Sequence, residues 1–172
     1  MKEQLQNFTD EEFEEEDEDD TLEGRYLIFS IGERHYGIEI KHITEIVGLH
    51  SITEVPDMPA FVKGVINLRG KIIPLLDVRS RFKLPEIEYN DKTSVIILNI
   101  NTHFVGLIVD TVREVLKISS EQMEETPRFG EMGNRFVKAL AKVKEEVKVL
   151  LDVDRLLIED EIKQAELVIQ ES

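Results

Sequence analysis

FVKGVINLRGKIIPLLDV, residues Phe61–Val78, returns downstream as FVKALAKVKEEVKVLLDV, residues Phe136–Val153. Phe, Val, Lys, Leu, Leu, Asp and Val hold the same places in both stretches, and most other core positions are apolar in both. Upstream of each lies a second pair. Ile28–Val47 aligns without gaps on Ile97–Leu116, matching Ile28 with Ile97, Ile31 with Ile100, Gly37 with Gly106, Ile43 with Val112 and Glu45 with Glu114. The offset is 69 residues for the upstream pair and 75 for the downstream pair, so the second copy has about six more residues between its halves, near Ser119–Gly133. A repeat of this kind sets the architecture. From Arg25 onward, short runs rich in Ile, Val, Leu, Phe and Tyr are separated by Gly, Asn, Asp and Pro, which predicts a mainly β fold. A module of roughly 60 residues can close as a five-stranded barrel, and closure removes exposed sheet edges. One larger sandwich of all the strands is the alternative.

Local patterning adds detail. Tyr36, Ile38 and Ile40 alternate with Gly37 and Glu39, predicting a half-buried strand with the first set inward and the second outward. Lys41–Val47 fits a helical turn as well as a strand. Ser119–Glu125 is expected to be a short capped helix, with Ser120 three residues before Met123. Asp154 is expected to cap a C-terminal helix, in which Leu157, Ile158, Ile162, Ala165 and Ile169 recur at helical spacing, giving a face packed on the protein's own barrels. The expected organisation is an acidic tail over 1–24 and one domain over 25–172. Within that domain, about 25–90 form a first barrel half, 91–155 a second, and 156–172 a closing helix.

The 172 residues, 41% of them apolar, suffice for a buried core. The net charge of −15 is concentrated at one end: residues 1–24 hold twelve Asp/Glu and one Lys, leaving −4 for the rest. So dense a run of like charge is expected to be a disordered, solvating arm, and bare nucleic acid is a poor partner for it. With no apolar run of membrane-spanning length and no signal-peptide pattern, a cytoplasmic protein is expected. The chain has no cysteine, which excludes disulfides and thiol chemistry.

Catalytic patterns are wanting. His35, His42, His50 and His103 form no HxH or HExxH pair, and His35 and His103, near the expected hairpin turns, are taken as exposed turn residues. There is no GxSxG and no phosphate-binding GxxxxGK[ST]. No enzyme activity, metal or cofactor is expected. The two copies also serve as each other's control. Asp77 and Asp152 end the same strand twice and read as local hydrogen-bonders, and Gly37 and Gly106 as points of close backbone approach. The copies diverge where Asn67, Leu68, Arg69 and Gly70 face Lys142, Val143, Lys144 and Glu145. Gly70 suits a turn with positive φ and Asn67 can bond its own backbone. Arg69 either donates to carbonyls and carboxylates of the fold or lies exposed on a binding face.

The stretch GVINLRGKIIPLLD (Gly64–Asp77), with PAFVKG (Pro59–Gly64) before it and YGIEIKHITEIV (Tyr36–Val47) upstream, closely resembles the CheW family of bacterial chemotaxis coupling proteins. The likeness runs from about Tyr26 to Leu157. It implies two SH3-like five-stranded barrels and a non-enzymatic adaptor that links chemoreceptor cytoplasmic tips to the histidine kinase CheA, whose regulatory domain has the same fold, in membrane-associated arrays. It further implies that Ile43, Glu45, Gly64, Val65, Arg69 and Ile72 form or support a receptor-binding surface, and that Ile40 and Phe129 serve binding to the kinase. Phe129 lies in the insertion, and the acidic tail is not part of the family pattern. An isolated regulatory module of a CheA-like kinase and a small-molecule-binding or hydrolytic barrel are the alternatives. A whole kinase would need a phosphotransfer bundle and an ATP-binding domain, and a CheV-like adaptor a receiver domain; neither is expected.

Overall fold

The computed structural model describes residues 22–125 and 136–157, so the expectations for the acidic tail, for Phe129 and for the helix beyond 157 lie outside the described residues. The first copy forms β1 (Arg25–Ile31), β2 (Arg34–Glu39), β3 (Ile43–Gly48), β4 (Val62–Leu68) and β5 (Lys71–Asp77), followed by the single-turn helix α1 (Val78–Arg81). The second forms β6 (Ser94–Ile100), β7 (His103–Val109), β8 (Thr111–Lys117), the two-residue β9 (Met123–Glu124), β10 (Val137–Val143), β11 (Glu146–Leu151) and α2 (Val153–Leu156). The ambiguous stretch Lys41–Val47 divides between a 3-10 turn, Ile40–His42, and β3 directly after it, and Ile40, expected to end the preceding strand, belongs to that turn.

The protein is mainly β and has two sheets, ordered β8-β1-β2-β11-β10-β9 and β3-β6-β7-β5-β4. Each sheet draws strands from both copies: β3 crosses to pair with β6, and β8 crosses to pair with β1. A boundary near residue 90 therefore divides the repeats without dividing the sheets. Exchanging every strand for its counterpart turns one sheet order into the other, with β9 alone left over. Its counterpart is the isolated bridge between Thr53 and Val65.

The exchange explains why β1 and β6 are apolar almost throughout. Tyr26 and Ile28 pack inside their own sheet, while Leu27 and Phe29 join a core shared by both sheets. In β6, Val95 and Ile97 face inward and Ile96 and Leu98 join that shared core. A strand covered on both faces loses the simple polar alternation of a surface strand. The copies are also pinned by Arg81, whose guanidinium carbon lies 4.3 Å from the ring centroid of Phe61 and 4.8 Å from that of Phe136, the repeat counterpart of Phe61. Its Nε donates to the Leu156 carbonyl at 3.0 Å.

Gly37 corrects the outward assignment made from alternation, for it is buried where β2 meets β11 in parallel. A Cβ there would lie 2.8 Å from Leu150 Cδ2 and 3.1 Å from Ile28 Cδ1. A Cβ on Gly106 would lie 2.6 Å from Leu75 Cδ2. Leu75 and Leu150 are repeat counterparts, so a repeated leucine makes the close approach that the repeated glycine admits. The obstacles are ends of flexible side chains. Gly37→Ala is therefore expected to cost about 1–3 kcal/mol by overpacking, measured as a lowered denaturation midpoint in a chain that still folds.

Strand ends bear out one expectation and correct two. The Asp77 carboxylate accepts from the amides of Arg79 and Ser80 and so caps α1, and Asp152 accepts from the amide of Arg155 and caps α2. The cap of α2 is therefore Asp152 and not Asp154, because the repeat places a carboxylate at the end of the strand in both copies. Near 120 only one 3-10 turn forms, Ser120–Gln122, with a capping box from Ser119. The chain then turns extended to give β9. We expect Asp77→Ala to cost about 1–2 kcal/mol by loss of the cap, readable as a shift in thermal unfolding.

Candidate functional site

The site is built on a sheet whose two outer strands are β3 and β4. Each carries a bulge: Thr44 is skipped between Ile43 and Glu45, and Lys63 between Val62 and Gly64. Bulges bend and twist an edge strand and re-aim its side chains. The β4–β5 hairpin closes through two residues, Arg69 and Gly70, at φ 51° and 86°, the left-handed pair that a tight hairpin requires. Asn67 Oδ1 accepts from the Gly70 amide at 2.9 Å, as its local role predicts. The second copy makes its own two-residue turn with Lys144 and Glu145 at φ 50° and 66°. Gly70 thus eases a turn that the fold also builds without glycine.

From that turn Arg69 reaches back across the seam to β3. Its Nη1 donates to Glu45 Oε2 at 2.7 Å and its Nη2 to Glu45 Oε1 at 2.9 Å, a two-pronged ion pair. The pair latches the β4–β5 hairpin to the strand at the opposite edge of the sheet. The Glu45 side chain is 8% exposed, whereas that of Arg69 is 56% exposed. The two readings of Arg69 are therefore both realised: it binds a carboxylate of the fold and presents its outer face to solvent. Its hydrogen bond to Glu45 raises its already high pKa. Among the described residues, Lys144 and Glu114, the counterparts of Arg69 and Glu45, form no such pair.

The other expected residues group around this latch in different capacities. Ile43 lies two residues before Glu45 and packs against the shared core. Ile72, two residues beyond the turn, is 49% exposed. Val65 is buried and exchanges both backbone hydrogen bonds with Thr53, at 2.8 and 2.9 Å. Gly64, at φ 145°, lets Thr53 come so close that a Cβ would lie 2.3 Å from its carbonyl oxygen. Gly64 and Val65 therefore support the surface from within. Ile40 is buried in the shared core, so its side chain backs a surface instead of forming one. Thr53 and Lys71, whose Nζ lies 4.3 Å from the Phe104 ring centroid, escaped the sequence reading. A single bridge and a cross-strand cation–π contact leave no periodic pattern.

His35 is a further correction. It is not an exposed turn residue but the second residue of β2, with its side chain 16% exposed and Nδ1 2.7 Å from Lys148 Nζ. The strand starts at Arg34, two residues before the alternation that begins at Tyr36, and its parallel pairing with β11 sets His35 opposite Lys148.

Two interlocked β sheets, with a charged latch and an exposed isoleucine at the seam of one, describe a binding scaffold. Comparison with known proteins agrees. Residues 25–161 match the family model of the CheW-like domain. The chain is 35% identical over 144 residues to the chemotaxis protein CheW of Klebsiella aerogenes, covering 83% of this chain and 87% of the relative. It is 32% identical over 130 residues to that of Bacillus subtilis, covering 76% and 83%. The crystal structure of the scaffolding protein TtCheW from Thermoanaerobacter tengcongensis superposes with a TM-score of 0.73 at 33% identity, covering 80% of this chain and 94% of that one. The chain belongs to the CheW-like family of chemotaxis coupling and scaffold proteins.

Proposed function

We propose that this protein is a non-enzymatic adaptor of the cytoplasm, coupling the cytoplasmic tips of methyl-accepting chemoreceptors to a CheA-type histidine kinase in membrane-associated arrays. Membership of the family supports the reading, as do the names of relatives that are chemotaxis and scaffolding proteins. Among the described residues no helix is long and apolar enough to cross a membrane. The observation that carries the proposal is the Arg69–Glu45 latch, which fixes an exposed guanidinium face on the same hairpin as exposed Ile72. Arginine beside an apolar contact is the composition of an interface hot spot.

In this reading Arg69 and Ile72 touch the receptor, and Ile43, Glu45, Gly64 and Val65 hold them in place. Ile40 and Phe129 serve the kinase side, Ile40 by supporting its 3-10 turn. The full chain should retain both a receptor cytoplasmic fragment and the regulatory domain of a chemotaxis kinase in a pull-down. Kinase output should change only when all three are present. Retention of neither partner, or ATP turnover by the chain alone after rigorous purification, would refute the proposal.

A further inference from the structure

The repeat offers an internal comparison between the ends of the two barrels. In one sheet Phe104 and Ile73 lie against the same apolar interior, and Lys71 covers the Phe104 ring. At the same places in the other sheet stand His35, Lys148 and Glu146. Lys148 is opposite His35 in the parallel register of β11 and β2, and its side chain is 4% exposed. Its Nζ donates to His35 Nδ1 at 2.7 Å and to Glu146 Oε2 at 2.7 Å. An ammonium has only protons to give, so Nδ1 is the acceptor and the imidazole is neutral, with its hydrogen on Nε2.

We propose that this end of the barrel is a proton-binding site, in which protonation of His35 breaks its bond to Lys148 and loosens the parallel β2–β11 junction that interlocks the two copies. A proton on Nδ1 would set two cations against each other where a hydrogen bond had been, in a partly dry setting, although Glu146 Oε2, 3.5 Å from Nδ1 on a largely exposed side chain, would accept from it. The charged groups facing the ring are Lys148 and Glu146 of β11 and Arg113 and Glu114 of β8. Ser30 lies opposite on β1. Burial, then Lys148 and Arg113, hold the His35 pKa below its ordinary 6.5, while Glu146 and Glu114 oppose them. A histidine held low in the folded chain takes up protons more readily when unfolded. The folded state is therefore unaffected above pH 6.5 and loses stability as pH falls below that value, fully so once the folded pKa is passed. At the acid end the folding constant falls by the same factor by which the folded chain binds this proton more weakly. The proposal does not depend on the adaptor reading.

The test follows the imidazole resonances of the full chain from about pH 8 to about pH 5, together with amide exchange along β2 and β11 corrected for its intrinsic pH dependence. We expect His35 to titrate below 6.5 and exchange at the junction to quicken as it does so. Lys148→Met should raise the His35 pKa. His35→Phe, which installs the residue found in the other copy, should abolish the part of the acid-induced fall in denaturation midpoint that tracks this titration. If either variant fails to fold, the unmodified chain still decides. A His35 that titrates at 6.5 or above, or a junction whose exchange ignores that titration, overturns the proposal.

Discussion

Gly64→Ala is expected to be the most damaging small substitution at the seam, lowering stability by roughly 3–5 kcal/mol. Two costs add there. The φ of 145° belongs to a region that side chains rarely enter. The added Cβ would also lie 2.3 Å from the Thr53 oxygen and 2.9 Å from the Thr53 carbonyl carbon, which are backbone atoms and cannot rotate away. The strand must move, and the two hydrogen bonds between Thr53 and Val65 should break with it. Loss of amide protection at those residues, together with a lowered denaturation midpoint, checks the mechanism. Gly48→Ala is the control, since nothing lies within 4 Å of a Cβ there and it should shift the midpoint little. Similar midpoints for the two variants would contradict this account.

If Arg69 touches a receptor as proposed, Arg69→Ala should weaken that binding roughly thirty-fold, the effect of removing an interface anchor. The structure adds a second consequence. Glu45, 8% exposed, loses both guanidinium bonds, so the seam should loosen and the denaturation midpoint should fall. Glu45→Ala breaks the same pair from the other side and is also expected to lower the midpoint. The two variants act through one ion pair, so the double variant should be less destabilised than the sum of the single ones, and a double-mutant cycle measures that coupling. Binding then separates contact from support: if Arg69 touches the receptor, Arg69→Ala should bind more weakly than Glu45→Ala of equal or lower stability. Lys144→Ala, at the counterpart turn, should change neither property much. Equal binding defects in the Arg69 and Lys144 variants would remove the specialisation of the first hairpin.

Much of the fold was legible because repetition and apolar patterning are properties of the chain itself. The aligned pairs Gly37/Gly106 and Asp77/Asp152 carry one local requirement twice, and the structure gives each pair one role: close packing against a leucine, and capping of a single helical turn. The divergence at Asn67–Gly70 singled out Arg69 before its partner was visible. The burial of Gly37 was not legible, because alternation describes a strand with one wet face, whereas on β2 Tyr36 and Ile38 join the shared core and Gly37 lies against the apolar cluster of Tyr26, Ile28 and Leu150.

By itself, then, the sequence determined the mainly β class, the two copies, the turn residues and the hairpin at which the copies differ. These follow from side-chain polarity, backbone preference and comparison of one segment with another. Only the tertiary structure decided that β3 and β8 change places between sheets, that Arg69 latches onto Glu45 and that His35 lies against Lys148. Each depends on contacts between residues far apart in the chain. A strand pairs through backbone groups that every residue carries, so its own sequence does not name its neighbour; the partner is chosen by how the whole set of apolar faces can be covered at once.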